Sequence, residues 1–274
     1  MEILSGFHTF LDGSSRYIIP DHQYRSSLLL PCCILIFNIM VNLVEEAKRQ
    51  AAYQAVDNHI LDTDRVIGIG SGSTVVYAVE RILQRAPEKN KNLVFIPTSF
   101  QSQLLIVEGG LTLGDLDRYP EIDVCIDGAD EVDSQLNAIK GGGAAQLREK
   151  VVAAAAKRFV IVADFRKNSD VLGKQWKKGV PIEVVPFAYK PVQQKIKAMG
   201  GEAKLRMGGN KAGPVVTDNG NFVLDADFGL IENPAQLEKD LIIIPGILEV
   251  GLFINMAQIA YFGNEDGTVA SRKL

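Results

Sequence analysis

From Arg65 onward, short apolar runs alternate with segments of helical periodicity, and this alternation restricts the possible folds more than any other feature. Arg65-Val66-Ile67-Gly68-Ile69 precedes a helical stretch from Ser73 to Arg85, then the strand-like Leu93-Val94-Phe95-Ile96. Gln101 to Val107 reads as helix, Ile122 to Ile126 as strand, Ala144 to Lys157 as helix and Phe159 to Ala163 as strand, with Val41 to Asn58 a helix ahead of them all. Strands that are apolar throughout have both faces covered, and strands separated by helices pair in parallel. An α/β protein with a parallel sheet between helical layers is expected.

Past Lys174 the texture changes. Pro181-Ile182-Glu183-Val184-Val185-Pro186 reads as a strand and Val192 to Met199 as a helix. Pro214 to Asp227 looks like a hairpin turned at Asn219-Gly220, a dipeptide suited to tight hairpin turns. A helix near Ala235 to Lys239 and the run Leu241 to Ile244 complete a β-α-β-β-α-β order, the pattern of a split βαβ (ferredoxin-like) unit. Gly251 to Val269 is strand-like and is expected to return to the first sheet. The expected organisation is an extension over 1–39, a Rossmann-like α/β domain over 40–176 plus 252–274, and a smaller α+β domain over 177–251.

The net charge of -4 disfavours nucleic acid as a partner, which needs a basic face, but leaves room for a small anion. Cys32 and Cys33 are adjacent and Cys125 sits in an apolar run, so neither a disulfide framework nor zinc spacing can be built. A reducing compartment, the cytoplasm, is the simplest reading. Leu28 to Val44 is nearly continuously apolar but interrupted by Pro31, Asn38 and Asn42, and falls short of the ~20 residues of a spanning helix. The extension is read as an alternative start, with Met40 as the natural beginning of a shorter chain, or as a targeting segment; the main body has no membrane partner. Only His8, His22 and His59 are histidines, and His59 reads as the polar end of a helix. The chemistry must therefore rest on carboxylates, Lys, Ser/Thr and backbone.

Gly68-Ile69-Gly70-Ser71-Gly72-Ser73-Thr74 lies between a strand and a helix, where free N–H groups and the helix dipole cradle anions. The dinucleotide fingerprint fails for want of its third Gly, and no Lys follows to make a P-loop. Ser71, Gly72, Ser73 and Thr74 are assigned to a phosphate; a merely structural turn is the rival. Asp127-Gly128-Ala129-Asp130-Glu131-Val132-Asp133 follows a strand at the end where parallel sheets bind ligands. Its acids suit proton work or Mg²⁺ and are equally compatible with helix capping or solvation. Lys140-Gly141-Gly142-Gly143 opens a helix and offers a nest of N–H groups beside a cation, suited to a developing oxyanion, with a flexible loop as the rival. Glu149 has Ala145, Val152, Ala153 and Ala156 as helical neighbours, which would desolvate a general base. Because that helix is alanine-rich all round, its residues alone favour a surface Glu. Arg166 and Lys167, after Phe159 to Ala163, are cations at a ligand-facing strand end or ordinary surface charge.

Taken together and in order, these blocks resemble ribose-5-phosphate isomerase of the A type. The likeness also takes in Arg148-Glu149-Lys150, Ala163-Asp164 with Lys167, Pro181 to Pro186, Val216-Thr217-Asp218-Asn219-Gly220-Asn221, Pro245-Gly246 and Gly251-Leu252-Phe253, and spans roughly 42–270. The resemblance implies a homo-oligomer, dimer or tetramer, that interconverts D-ribose 5-phosphate and D-ribulose 5-phosphate through a cis-enediolate, without cofactor or metal, in the non-oxidative pentose phosphate pathway. It implies Glu149 as catalytic base; Asp127, Asp130 and Lys140 as sugar-binding and ring-opening residues, with Gly128, Ala129, Gly141, Gly142 and Gly143 beside them; and Ser71 to Thr74, Lys167 and Lys48 as phosphate and substrate contacts. Gln146-Leu147 departs from the family pattern and is expected only to tune packing. A sugar-phosphate sensor, a CoA transferase with Glu149 as acyl carrier and, nearest chemically, an isomerase of a different substrate are the competing readings.

Overall fold

The structure, a computed structural model, describes the backbone of residues 29–274 and the side chains from Leu43 onward. Along the chain run α1 (Leu29–His59), β1 (Val66–Ile69), α2 (Ser73–Gln84), α3 (Pro87–Asn90), β2 (Val94–Pro97), α4 (Phe100–Glu108) and β3 (Val124–Gly128). Short β4 (Glu131–Val132) and β5 (Ala138–Ile139) precede α5 (Gln146–Ala154), β6 (Phe159–Asp164), β7 (Val180–Val184) and α6 (Tyr189–Ala198). Then come β8 (Glu202–Leu205), β9 (Phe222–Asp227), α7 (Pro234–Ile242), β10 (Ile247–Val250), β11 (Leu252–Phe253), β12 (Ile259–Gly263) and β13 (Val269–Lys273).

Six strands form a sheet in the order β13-β12-β6-β3-β1-β2, parallel throughout except for the antiparallel edge pair β12–β13. Its central strands β1, β3 and β6 bury both faces, as their unbroken apolar runs require, whereas the edge strand β13 is largely exposed. Ile67, Ile69, Val124, Ile126, Val160 and Val162 meet α1, α2 and α4 on one side through Ala51, Ala55, Val79 and Ile106. The alternate residues Val66, Cys125, Ile161 and Ala163 meet Val152 and Ala153 of α5 on the other. Each fully buried aliphatic side chain contributes about 1.5–3 kcal/mol, so the two layers fix the sheet firmly. The chain leaves β1 for β2 on one side and β3 lies on the other, so the carboxyl ends of β1 and β3 flank a switch in strand order, where open α/β sheets hold ligands.

Gly68 sets the depth of α5. A Cβ there would lie 2.8 Å from Val152 Cγ1, so the absent side chain is what lets the helix approach the sheet. Lys150, one residue beyond Glu149, forms 2.7 Å ion pairs with Glu238 of α7 and Glu249 of β10. Between them Val152 and Lys150 fix the rotation of α5, and that rotation turns Glu149 inward.

The second sheet is antiparallel, in the order β10-β7-β9-β8, with α6 and α7 supplying Val192, Ile196 and Leu241 to its core. A third sheet, β11-β5-β4, was not anticipated. Two expectations need correction. Leu241 to Ile244 is not a strand: Asn233 caps α7, Pro234 starts it, and the helix runs to Ile242, leaving Ile247–Val250 as the strand. The turn at Asn219-Gly220 exists, but its arms are not a ladder, because Thr217, Asn219 and Asn221 all donate to the buried carboxylate of Glu183 at 2.9, 3.0 and 2.9 Å. β9 instead pairs antiparallel with β8 on one side and β7 on the other. The tail does return to the first sheet, as β12 and β13. His59 closes α1 and hydrogen-bonds to the Tyr261 hydroxyl at 2.9 Å, a structural role. Residues 1–28 of the expected extension lie outside the described residues, and α1 begins within the rest of it. Among the described residues no helix is long and apolar enough to cross a membrane.

Candidate active site

A cleft of about 190 Å3 opens at the carboxyl ends of β1, β3 and β6, and its lining unites almost all the residues singled out in the sequence. Ser71, Gly72, Ser73 and Thr74 come from the loop after β1; Gly128, Ala129 and Asp130 from the end of β3; Lys140 to Gly143 from the loop after β5. Glu149, Lys167 and Lys48 complete it, with Asp164 and Arg166. Asp127 is not on the cleft wall but directly behind it.

The cradle after β1 is built to leave donors free. Helix α2 starts at Gly72 without a side-chain cap, so the first N–H groups of the helix are open to an anion. Ser71 Oγ is taken up by Thr98 Oγ1 at 2.7 Å and Ser99 Oγ at 2.6 Å, and Gly72 N–H by Gln101 Oε1 at 2.8 Å. Ser73 and Thr74 therefore carry the available donors, while Ser71 and Gly72 shape the loop. Of the cations, Arg166 is tied bidentately to Asp164. Lys48 is buried and paired with Glu45 at 2.6 Å, which also accepts from the Tyr77 hydroxyl at 2.7 Å. Lys167 lies 5.2 Å from the Trp176 ring centre and has no carboxylate partner among the described residues, so it is the cation free to meet a phosphate.

Behind the cradle sits a buried charged cluster. Asp127 is fully enclosed; its Oδ1 accepts from Ser71 N at 3.0 Å and Gly128 N at 2.7 Å, and its Oδ2 lies 3.0 Å from Lys140 Nζ. Gly70 makes this possible, since a Cβ there would overlap the Asp127 carboxylate at 1.9 Å. Lys140 donates to Gly128 O and stands 3.5 Å from Glu149 Oε2. Burial works against its charge, yet Asp127 and Glu149 outweigh burial and raise its pKa. Glu149 is 4 % exposed, and burial first, then the charge of Asp127, push its carboxyl from 4.5 up to about 8, with Lys140 opposing. Its Oε2 has no hydrogen-bond partner. Asp130 is also raised, by burial, although Gly142 N–H donates to its Oδ2 at 2.6 Å. Among the described residues no cluster of His, Cys, Asp and Glu has the arrangement of a metal site.

The cleft thus joins an anion cradle to a desolvated carboxylate, a buried ammonium and a glycine loop. The chain matches the family model described as Ribose 5-phosphate isomerase A (phosphoriboisomerase A) over residues 94–267. It is 59 % identical over 271 residues to a protein of Cryptococcus neoformans var. neoformans serotype D named ribose-5-phosphate isomerase, covering 95 % of this chain and 89 % of that one. The chain belongs to the ribose 5-phosphate isomerase A family. A human ribose-5-phosphate isomerase is 56 % identical over 230 residues, 84 % of this chain and 74 % of that protein. Among solved structures, a D-ribose-5-phosphate isomerase in complex with phospho-erythronic acid superimposes with a TM-score of 0.79 at 41 % identity, over 84 % of this chain and 99 % of that one. Ribose 5-phosphate isomerase A of Methanocaldococcus jannaschii gives 0.76 at 38 % identity, over 83 % and 98 %.

In this family member several site groups carried no sequence signal of their own. Glu45, which pairs with Lys48, and Tyr77, whose hydroxyl holds Glu45, look like surface residues of amphipathic helices. Thr98 and Ser99, which hold Ser71, are readable only as polar residues at the end of β2. Arg206 follows directly on β8 of the second sheet. Gln146 is fully buried, and a Cβ on Gly141 would lie 2.8 Å from its Oε1.

Proposed function

We propose that Glu149 is the base of an aldose–ketose isomerase acting on D-ribose 5-phosphate and D-ribulose 5-phosphate, as family membership and the cleft together support. The observation that carries it is that the desolvated Glu149 carboxyl and the Lys140 ammonium line one cleft together with an uncapped helix start and Lys167. The phosphate sits on Ser73 and Thr74, against Lys167 and Lys48. Asp130, exposed to the cleft and with raised proton affinity, handles the proton of ring opening, whereas enclosed Asp127 serves as counter-ion to Lys140.

In the open-chain aldose, the Glu149 carboxylate takes the proton from C2. The C–H electrons form the C1–C2 double bond and charge moves onto O1, where Lys140 and the glycine-loop N–H groups stabilise it. Glu149 returns the proton to C1; the O2 hydroxyl gives up its proton as O1 gains one, and the ketone stands at C2. No cofactor enters these steps, and the product belongs to the non-oxidative pentose phosphate pathway.

The test is ketose formation from ribose 5-phosphate by the purified chain with EDTA in D₂O. Ribulose 5-phosphate carrying solvent deuterium is expected; binding of the sugar phosphate without turnover would favour a sensor instead. A pH profile follows from Glu149. The base must be deprotonated, so kcat/KM should rise about tenfold per pH unit and level off above about 8. A break near ~6 would belong to the second ionisation of the substrate phosphate. A profile already flat from pH 6.5 to 9, by initial-rate assay, would exclude a base of raised pKa.

We also propose the two-part organisation of 40–176 plus 252–274 and 177–251, the second part being a ferredoxin-like unit; its order β10-β7-β9-β8 with two helices supports this. A homo-oligomer, dimer or tetramer, is supported by an apolar groove lined by Leu113, Leu116, Leu147 and Val151. The unpaired thiol of buried Cys125 fits a cytoplasmic location.

A further inference from the structure

Arg206 follows β8 and reaches across from the second sheet to the glycine loop of the cleft. Its backbone is held on both sides, N–H to Val223 O and C=O from Val215 N, each at 2.9 Å. Its guanidinium grips Asp225 of β9 through Nε, 2.9 Å from Oδ2, and through Nη2 to Oδ1. The remaining amino group, Nη1, donates to Gly141 O at 2.9 Å and Gly142 O at 3.1 Å. Asp225 thus fixes the plane of the fork, and the fork fixes two consecutive peptide units.

A trans peptide is planar, with C=O and N–H on opposite edges. Turning the carbonyls of Gly141 and Gly142 toward Arg206 therefore turns the N–H groups of Gly142 and Gly143 away from it. Gly142 N–H meets Asp130 Oδ2 at 2.6 Å. Gly143 N–H meets no protein acceptor among the described residues, and Gly143 lines the cleft whereas Arg206 does not. The loop's own restraint is one turn hydrogen bond, Ala144 N–H to Gly141 O at 2.9 Å, and among the described residues the Gly142 carbonyl is held by Arg206 alone, in a run of three glycines that is otherwise free to turn. The next residue, Ala144, already sits at φ 62°, a strained backbone for a residue with a Cβ.

We propose that Arg206 is a positioning residue of the isomerase: it clamps the Gly141 and Gly142 carbonyls so that Gly143 N–H faces the sugar oxygen that gains charge and Gly142 N–H orients Asp130. The proposal rests on the isomerase reading. Arg206 is not on the cleft wall, so its loss is expected to weaken the transition state and leave phosphate binding alone.

The experiment uses the full chain with Arg206→Lys, Arg206→Gln and Arg206→Ala. A lysine presents a point charge and cannot hold Asp225 and two carbonyls in one plane. Losing an oxyanion donor costs roughly 10²–10³ in rate, so losing its orientation should lower kcat about 10- to 100-fold. KM for ribose 5-phosphate and the Kd of inorganic phosphate should stay within about threefold, as for an interaction absent from the ground state. Affinity for 4-phospho-erythronate, whose carboxylate spreads negative charge where the enediolate would, should fall in step with kcat. Guanidinium ion at millimolar concentration should recover part of the activity of Arg206→Ala. Unchanged kcat in folded Arg206→Lys and Arg206→Gln would overturn the proposal. So would a parallel fall of kcat, phosphate affinity and melting midpoint without guanidinium recovery, which is the pattern of a purely structural residue. If the unsubstituted chain fails to turn over, the isomerase reading fails by itself; the 4-phospho-erythronate comparison then still decides whether Arg206 aims the loop.

Discussion

Glu149→Gln is expected to abolish isomerisation while leaving the sugar phosphate bound. A positioned base contributes about 10²–10⁴ in rate, and no other described carboxylate shares the cleft in a comparable setting. Asp130 has its Oδ2 occupied by Gly142 N–H, and Asp127 is walled off behind Lys140. Turnover should drop by roughly 10³ or more, and deuterium exchange at C2 should vanish with it, since both need the same proton abstraction. Phosphate affinity should hold, because Ser73, Thr74 and Lys167 are untouched. Stability carries a second readout. Glu149 is raised from 4.5 to about 8, so the folded state binds a proton the unfolded chain releases between those values. The stability this proton contributes is fully present below pH 4.5 and is lost as pH rises through about 8. The amide of Gln never ionises, so the variant should lose this slope and melt no lower than the unsubstituted chain at pH 8.5. Retained turnover would remove Glu149 from its role; a steep loss of stability at pH 8.5 would contradict its raised proton affinity.

The inward turn of Glu149 also marks the limit of what the sequence discloses. Strands β1, β3 and β6 are apolar on both faces, so their burial and parallel pairing are local information, readable from Val66 to Ile69, Val124 to Ile126 and Phe159 to Ala163. The cradle is equally local: glycines and hydroxyls between a strand and a helix. Glu149 is different. Helix α5 looks alike on every side, and which side meets the sheet is decided by Gly68 beneath Val152 and by Lys150 reaching Glu238 and Glu249. Those contacts join residues about 80 to 100 positions apart, beyond any periodicity. Without the family resemblance, the residues around Glu149 favoured a surface position. The same reason hid the third sheet and Arg206, whose partners Gly141 and Gly142 are far away in the chain. Where local signals conflicted, packing chose: Leu241 to Ile244 suits strand or helix, and the Asn233–Pro234 start settled it as helix. At Asn219-Gly220 the expected arms gave way because a buried Glu183 draws the side chains of Thr217, Asn219 and Asn221.

Lys140→Met should lower both rate and stability, and its combination with Asp127→Asn should separate the two. Lys140 is the only described cation within ion-pair distance of Asp127 and Glu149, at 3.0 and 3.5 Å. Removing one member of a buried pair leaves the other charge uncompensated and costs about 3–5 kcal/mol; chemical denaturation should report a loss of that size. The rate should fall by roughly 10²–10³, the usual consequence of deleting one stabiliser of a developing oxyanion. Adding Asp127→Asn removes the stranded carboxylate, so much of the stability should return. Activity should not return, because nothing in the pair of neutral side chains replaces the ammonium at O1. The pH dependence makes the argument sharper. Lys140 lowers the Glu149 pKa and Asp127 raises it. Lys140→Met should therefore move the rising limb of residual kcat/KM to higher pH, and Asp127→Asn should move it to lower pH. Two single substitutions in one ion pair, both damaging, would shift the same titration in opposite directions. Shifts in the same direction would mean that the limb does not report Glu149, and that the charged cluster acts on the reaction in some other way.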